Sequence, residues 1–257
     1  DTLAGTNTVV YEELYIVTDH GNVIVGDHKE QGDTDQQVWI PYLQTVSTDD
    51  ATGLQLTASE GERTITDQIS YDHILPGLTY EVRSRIVDVE TGETIKTVDG
   101  ADVTATTTFV PEEESGEVSV SFTFDTVGLA GKDIRVLSEI YYNGILIADD
   151  QPDALEPETL YIPEIGTSVS DDDTGLKMSF ADDTVTITDT VSYRNLLTNV
   201  PFTLKAVLMD KETGEVALDA EGEEIRSEAS FMVSGDAKTS DGTVDVKFVF
   251  DATGLDG

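Results

Sequence analysis

Val118-Ser119-Val120-Ser121-Phe122-Thr123-Phe124 alternates apolar and polar side chains at every step. Period 2 is the spacing of a β-strand with one buried face, because successive side chains leave opposite sides of the pleat. The pattern returns in Val244-Asp245-Val246-Lys247-Phe248-Val249-Phe250. Between such runs stand Pro76-Gly77, Thr91-Gly92, Asp99-Gly100, Ser115-Gly116 and Asn143-Gly144. These are turn pairs: proline presets φ, glycine accepts positive φ, and Asn-Gly suits a tight hairpin. No convincing amphipathic helix interrupts them. Short strands at this spacing predict an all-β chain of immunoglobulin-like sandwiches.

The strands repeat as a larger unit. Ile187-Thr188-Asp189-Thr190-Val191-Ser192-Tyr193 matches Ile65-Thr66-Asp67-Gln68-Ile69-Ser70-Tyr71. Gly166-Thr167 to Thr174-Gly175 matches Gln44-Thr45 to Thr52-Gly53, and Tyr161-Ile162-Pro163 matches Trp39-Ile40-Pro41. All three anchors share one offset of 122 residues, the signature of tandem modules. Leu129-Ala130-Gly131 also matches Leu3-Ala4-Gly5, and Phe124-Asp125-Thr126-Val127-Gly128-Leu129 resembles Phe250-Asp251-Ala252-Thr253-Gly254-Leu255. One complete module is therefore expected over 42–163. Residues 1–41 read as the C-terminal part of another module, and 164–257 as the N-terminal part of a third. Each supplies what the other lacks.

Composition narrows the function. The 257 residues carry 14 Lys and Arg against 52 Asp and Glu, a net charge of −38. Such a surface repels nucleic acid and anionic lipid, so neither is expected as a partner. A hydrophobic fraction of 38 % suits several thin sandwiches better than one large core. Cysteine is absent, which excludes disulfides, thiolate zinc sites and cysteine nucleophiles. No apolar run is long enough to span a membrane, and Asp1 opens no signal peptide, so an excised ectodomain fragment is expected. Asp49-Asp50 and Asp171-Asp172-Asp173 suggest calcium, but lack the Gly and Glu spacing of a dedicated loop. No metal and no cofactor are expected. A Ser-His-Asp hydrolase lacks its Gly-x-Ser-x-Gly elbow here.

Taken in order, the chain carries Gly-Thr near a first strand, Ile-Thr-Asp-x-x-x-Tyr, Phe-Thr-Phe-Asp, Val9-Val10-Tyr11-Glu12, and His28 eight residues before Gln36 and Ile40-Pro41. This resembles the VaFE-repeat domains of Gram-positive surface adhesins, also called Thr–Gln ester-bond domains, which are CnaB-type sandwiches. The resemblance implies a self-made crosslink. A threonine hydroxyl on the first strand attacks a glutamine carboxamide on the last, ammonia leaves, and a nearby Glu, His and Asp promote the step. Such chemistry is intelligible. A hydroxyl needs a base, an amide needs polarisation and a proton for its leaving nitrogen, and burial excludes hydrolytic water.

Carried over, the resemblance assigns Thr167 and Gln36 to the crosslink and Glu12, His28 and Asp189 to its promotion. Gln37 and Glu13 remain one-residue alternatives, because a slip of one reverses a strand's faces. Thr45 and Thr167 also fit as plain β-branched strand residues. His20 and His73 match nothing and read as solvated. In the complete module Thr45 and Asp67 are kept, but Ser138 stands for Glu12, Gln151 for His28 and Glu158 for Gln36. A carboxylate is a poor acyl donor, so no ester is expected there.

The five reactive positions are thus divided between the two ends of the chain. A module roughly 30–40 Å long separates them, taking strands of about 10 residues at ~3.4 Å each. Joining is therefore expected between copies, head to tail. The implied setting is extracellular: the stalk of a cell-wall-anchored surface protein that holds its host-surface ligand elsewhere. Single-turnover crosslinking is not enzyme turnover. The competing expectation is a calcium-dependent or glycan-binding adhesive module, which the sparse aromatic residues disfavour.

Overall fold

The computed structural model describes residues 3–149 and 157–253. Among them there is no α-helix, and one 3-10 turn interrupts seventeen strands. Residues 6–40 form β1 (Thr6–Val9), β2 (Glu12–Thr18), β3 (Gly21–His28) and β4 (Gln37–Ile40). The middle module contributes β5 (Tyr42–Asp49), β6 (Glu62–Asp72), β7 (Tyr80–Asp88), β8 (Thr104–Phe109), β9 (Gly116–Asp125), β10 (Asp133–Tyr142), β11 (Ile145–Asp149) and β12 (Thr159–Tyr161). The last segment holds β13 (Glu164–Asp171), β14 (Val185–Leu197), β15 (Pro201–Val207), β16 (Arg226–Met232) and β17 (Thr239–Phe250).

Two compact units result, and they cut across the sequence repeat. The first contains residues up to Gln55, Glu62–Asp125 and Ile134–Leu160. The second contains Leu56–Gly61, Thr126–Asp133 and everything from Tyr161 onward.

In the first unit, β5-β6-β9 form one sheet and β11-β10-β7-β8 another, with β12 paired to β10. Their facing residues close a sandwich core. Leu43, Ile65, Ile69, Val120, Phe122 and Phe124 come from one sheet, and Val82, Ile86, Ile134, Val136 and Ile140 from the other, all buried. The alternation read from 118–124 is thus the inward face of β9, and all pairings are antiparallel. Strands β1–β4 add a short β1/β4 pair and a β2/β3 hairpin. Val17 and Val25 are among several large apolar side chains left exposed on that hairpin.

The second unit repeats the first three-stranded sheet as β13-β14-β17, beside a β15/β16 pair. A small core of Ile225, Val246 and Phe248 lies between them, with Leu204 and Phe250 packed against it. The register is copied faithfully: Thr45 faces Ile69 and Ser47 faces Asp67, as Thr167 faces Val191 and Val169 faces Asp189. Burial is not copied. Leu43 is 2 % exposed, whereas Ile165 at the same repeat position is 62 % exposed.

One turn recurs four times. In Asp49-Asp50-Ala51-Thr52-Gly53 the Asp49 Oδ1 accepts the backbone N–H groups of Ala51 and Thr52, at 2.8 and 3.1 Å. Asp88, Asp171 and Asp210 do the same for the amides two and three residues on. Gly53, Gly92, Gly175 and Gly214 close these loops at φ between 66° and 73°, each donating its N–H to the aspartate carbonyl. The first acidic residue of each suspected calcium loop is therefore an Asx cap whose carboxylate is already engaged with the backbone. Among the described residues no cluster of metal-ligating side chains forms.

Glycine matters differently at Gly116 and Gly242. Each pairs across the ladder with a tyrosine, Tyr71 or Tyr193. A Cβ on Gly116 would lie 2.5 Å from the Tyr71 hydroxyl and 2.8 Å from its ring. Tyr71 is buried and stacks on Phe109 at 5.1 Å, so it has little room to retreat. Gly116→Ala should therefore destabilise the middle module by about 1–3 kcal/mol, the usual cost of overpacking. Denaturant unfolding of that module reads the effect, and an unchanged midpoint would show that Tyr71 gives way freely.

Candidate functional site

The residues around Gln36 are assembled by a turn rather than by a strand. Asp33 caps the 3-10 turn Thr34–Gln36, its side chain accepting the Asp35 N–H at 2.9 Å. Gln36 ends that turn, and β4 begins only at Gln37, so the candidate glutamine precedes the last strand instead of lying within it. The position is fixed from the other side by Val10, whose N–H donates to the Gln36 carbonyl at 3.2 Å. The middle module repeats this contact, Val136 N–H donating to Glu158 O at 3.2 Å. Gln36 and Glu158 therefore occupy the same frame, and the alternative Gln37 falls one residue outside it.

Two expected residues converge on Gln36. Glu12 and His28 are direct cross-strand partners on β2 and β3. The Gln36 amide nitrogen donates to Glu12 Oε2 at 2.8 Å and lies 3.3 Å from His28 Nδ1. His28 Nε2 in turn stands 3.0 Å from Asp33 Oδ2. In the tautomer with its proton on Nε2 toward Asp33, Nδ1 can accept from Gln36. The carbonyl oxygen Gln36 Oε1 is buried and makes no hydrogen bond. Glu13, the alternative to Glu12, instead pairs with Lys29 and Tyr15. Sequence reading missed Asp33; its signal was the position five residues after His28 and three before Gln36.

Thr167 and Asp189 lie in the other unit. Val169 and Asp189 are directly opposed on β13 and β14, and Thr167 is two residues from Val169, so the three share one face. Asp189 Oδ1 is buried without a hydrogen bond, and burial raises the carboxyl above its ordinary pKa. The structure thus brings Glu12, His28 and Gln36 together, and sets Thr167 beside Asp189.

The middle module shows the complete frame with changed chemistry. Ser47 and Ser138 each donate to one oxygen of the buried Asp67, both at 2.7 Å, and Ser84 donates to Ser138 at 2.7 Å. Ser138, the counterpart of Glu12, therefore reaches the counterpart of Asp189. Ser47 N–H bonds Pro157 O at 3.0 Å, which draws the segment before β12 onto β5. Thr45 and Glu158 are each 3 % exposed. The Thr45 hydroxyl stands near enough to both carboxyls to lower their pKa values, yet Thr45 Oγ1 and Glu158 Oε2 make no hydrogen bond of sound geometry. Gln151 lies outside the described residues. His20 is exposed as expected, but His73 is not simply solvated: it is half-buried, at φ 58°, with its ring against Asp72.

A T-Q ester bond containing domain matches twice, over residues 41–156 and 163–257, and the chain belongs to that family. Among solved structures, the chain is similar to a bacterial adhesin from Mobiluncus mulieris containing intramolecular disulfide, isopeptide and ester bond cross-links. The identity is 12 % and the TM-score 0.41, over 80 % of this chain and 97 % of that one. A structure titled BspA_C_mut is similar at 11 % identity and TM-score 0.35, over 83 % of this chain and 90 % of that one. Comparison with curated proteins finds no match.

Two outcomes follow for the middle module. Burial, reinforced by the Asp67 carboxylate, holds Glu158 up at about 7, and Asp67 is raised as well. A carboxyl raised on folding binds its proton more tightly in the native state. Its stabilisation is full below the unfolded value and is lost as pH rises through the folded one. Stability of the middle module should therefore fall on going from pH 5 to pH 8, by on the order of 2–3 kcal/mol. Glu158→Gln should flatten that part of the profile; an equally steep profile in the variant would assign the effect elsewhere. Separately, Ser138→Glu, Gln151→His and Glu158→Gln together should install an ester on Thr45, read by mass spectrometry as the loss of one ammonia. The parent module should show no such bond.

Proposed function

We propose that this chain is part of the stalk of an extracellular surface adhesin, whose reactive half-modules join copy to copy through a Thr167–Gln36 ester. The observation that carries this reading is the prepared carboxamide. Gln36 has its amide nitrogen engaged by Glu12 and His28, while its buried carbonyl oxygen makes no hydrogen bond. Family membership supports the bond type, and the absence of cysteine leaves an ester as a fitting covalent reinforcement.

In the reaction the Thr167 Oγ–Gln36 Cδ bond forms and the Cδ–Nε2 bond breaks. The hydroxyl proton ends on the departing ammonia, so nothing outside the protein is consumed. The middle module supports a close approach of Glu12 to Asp189, since Ser138 touches Asp67 there. Two carboxyls so placed share a proton. One can then accept from the threonine while the other gives to the leaving nitrogen, with His28, positioned by Asp33, beside the same atom. The step occurs once per site, as self-modification rather than turnover. Thr167 lies on β13 between Ile165 and Val169, all three exposed, and the β2/β3 hairpin carries bare apolar side chains, so each half offers surface for the other.

Denaturing electrophoresis of the purified chain should show a ladder of covalent multimers. Thr167→Ala and Gln36→Ala should each abolish it while leaving the fold intact. His28→Ala, Asp189→Ala and Asp33→Asn should slow it, roughly 10²–10⁴-fold for a lost proton-transfer group. Since both halves are acidic, added salt should speed assembly by screening repulsion. A single monomer band at every concentration, with a monomer in native solution, would refute the reading; a full ladder in Gln36→Ala would move the bond to another acceptor.

A further inference from the structure

A cavity of about 500 Å³ opens between the end of β4 and the head of the middle module. Trp39, Leu75, Leu78, Tyr80 and Tyr142 supply most of its apolar wall, with His73 at the edge, and no carboxylate lines it. That is unusual on a chain of net charge −38. Leu75 is 47 % exposed there. Its repeat counterpart in the second unit, Leu197, is only 5 % exposed. The second unit also contains Leu56–Gly61, a loop of the middle module. In that unit Leu56 bridges Tyr161 in parallel, and Thr57 N–H donates to Tyr161 O at 3.1 Å. Leu197 is thus buried in the unit that contains this loop, and at the cavity the corresponding Leu75 is bare.

The repeat says which residues correspond. Tyr161 is the counterpart of Trp39, and Leu56, Thr57 and Ala58 are the counterparts of Met178, Ser179 and Phe180. Met178 and Phe180 are 62 % and 66 % exposed. Their loop is already shaped: Thr174 Oγ1 donates to Met178 O and Ser179 Oγ to Asp171 Oδ2, both at 2.7 Å, and Asp182 N–H closes on Phe180 O at 3.0 Å. A preformed loop bearing two large apolar side chains pays little ordering entropy on docking.

We infer that the Trp39–Tyr80–Tyr142 cavity is the seat for Met178 and Phe180 of a second copy of this chain. The inference rests on the head-to-tail reading above and adds to it a docking contact that precedes the ester. In the seated state Ser179 N–H donates to Trp39 O, copying Thr57 on Tyr161. The methionine sulfur and the phenyl ring lie among the aromatic rings, contacts that favour both groups. The seat selects its partner before any covalent step, which matters because an ester, once made, does not sort right from wrong neighbours.

Trp39 is the only tryptophan in the chain, so its emission reports the cavity directly. The measurement uses the full chain carrying Gln36→Ala, in which association stays reversible. With rising concentration, Trp39 emission should move to shorter wavelength and become harder to quench with iodide, in step with association seen by sedimentation. Met178→Ser with Phe180→Ser should weaken that association about tenfold or more, as expected for losing two buried apolar groups. Both residues are exposed in the single chain, and circular dichroism checks that the fold is kept. In the chain with Gln36 intact, the same double change should slow the covalent ladder at low concentration and leave its final linkage unchanged. If the double variant associates and shifts Trp39 like its parent, the seat is refuted while head-to-tail joining stands. If the parent associates without any change at Trp39, the seat is likewise refuted. If neither association nor ladder occurs, the head-to-tail reading falls and the seat with it.

Discussion

In a sandwich of this kind the strands that open and close the module are neighbours in space and far apart in sequence. Force applied to the two ends, or thermal fraying, separates them first. What holds them here is a polar cluster beneath the junction of β5 with the segment before β12, set by one antiparallel register. Because Ser47 faces Asp67, the side chains of Thr45, Ser47 and Asp67 all point inward, and Glu158 and Ser138 meet them from the opposite sheet. The same register in β13 and β14 puts Thr167 and Asp189 on one face. Sliding either strand by one residue would turn the whole set outward. The chemistry therefore depends on ladder geometry before it depends on any pKa.

A buried polar cluster is costly unless its groups are satisfied, and the two kinds of module meet that requirement differently. In the middle module Asp67 takes two serine hydroxyls, and a third serine supports one of them. Glu158 avoids a buried charge by keeping its proton up to about pH 7. The arrangement is non-covalent and pH-dependent. At Gln36 the amide stays neutral at any pH, and its nitrogen is engaged by a carboxylate and an imidazole. What the frame lacks there is a partner for Oε1 and a nucleophile. The unsatisfied groups, Gln36 Oε1 on one side and Asp189 Oδ1 on the other, belong to the two halves that the proposed junction would unite.

The repeat was legible because it rests on strand alternation and turn chemistry, which are local. The 122-residue offset reappears as identical register in β5/β6 and β13/β14, and Asp49, Asp88, Asp171 and Asp210 obey one turn rule. Gln36 was singled out by its spacing to His28 and Glu12 by the run Val9-Val10-Tyr11-Glu12, and each carried a one-residue alternative. The structure separates them by contacts that no periodicity encodes: Val10 N–H on Gln36 O, and Lys29 drawing Glu13 away. Asp33 was not legible, since its importance lies in being both the cap of a three-residue turn and the partner of His28 Nε2. His73 was misread because exposure depends on what packs beside it, here an aromatic cavity formed with residues of β4.

Modules in series share the same tension, so the weakest closure decides how a stalk yields. A covalent ester removes strand separation as a route to failure at every junction that carries one. The middle module has no such tie in the proposed scheme, and its closure relies on Glu158 remaining neutral beside Asp67. As pH rises through about 7, Glu158 gains a charge in a site that already holds a carboxylate, and the segment before β12 loses its hold on β5. Extensibility of such a stalk would then reside in the module that lost its crosslink, while its continuity would reside in the junctions that kept it.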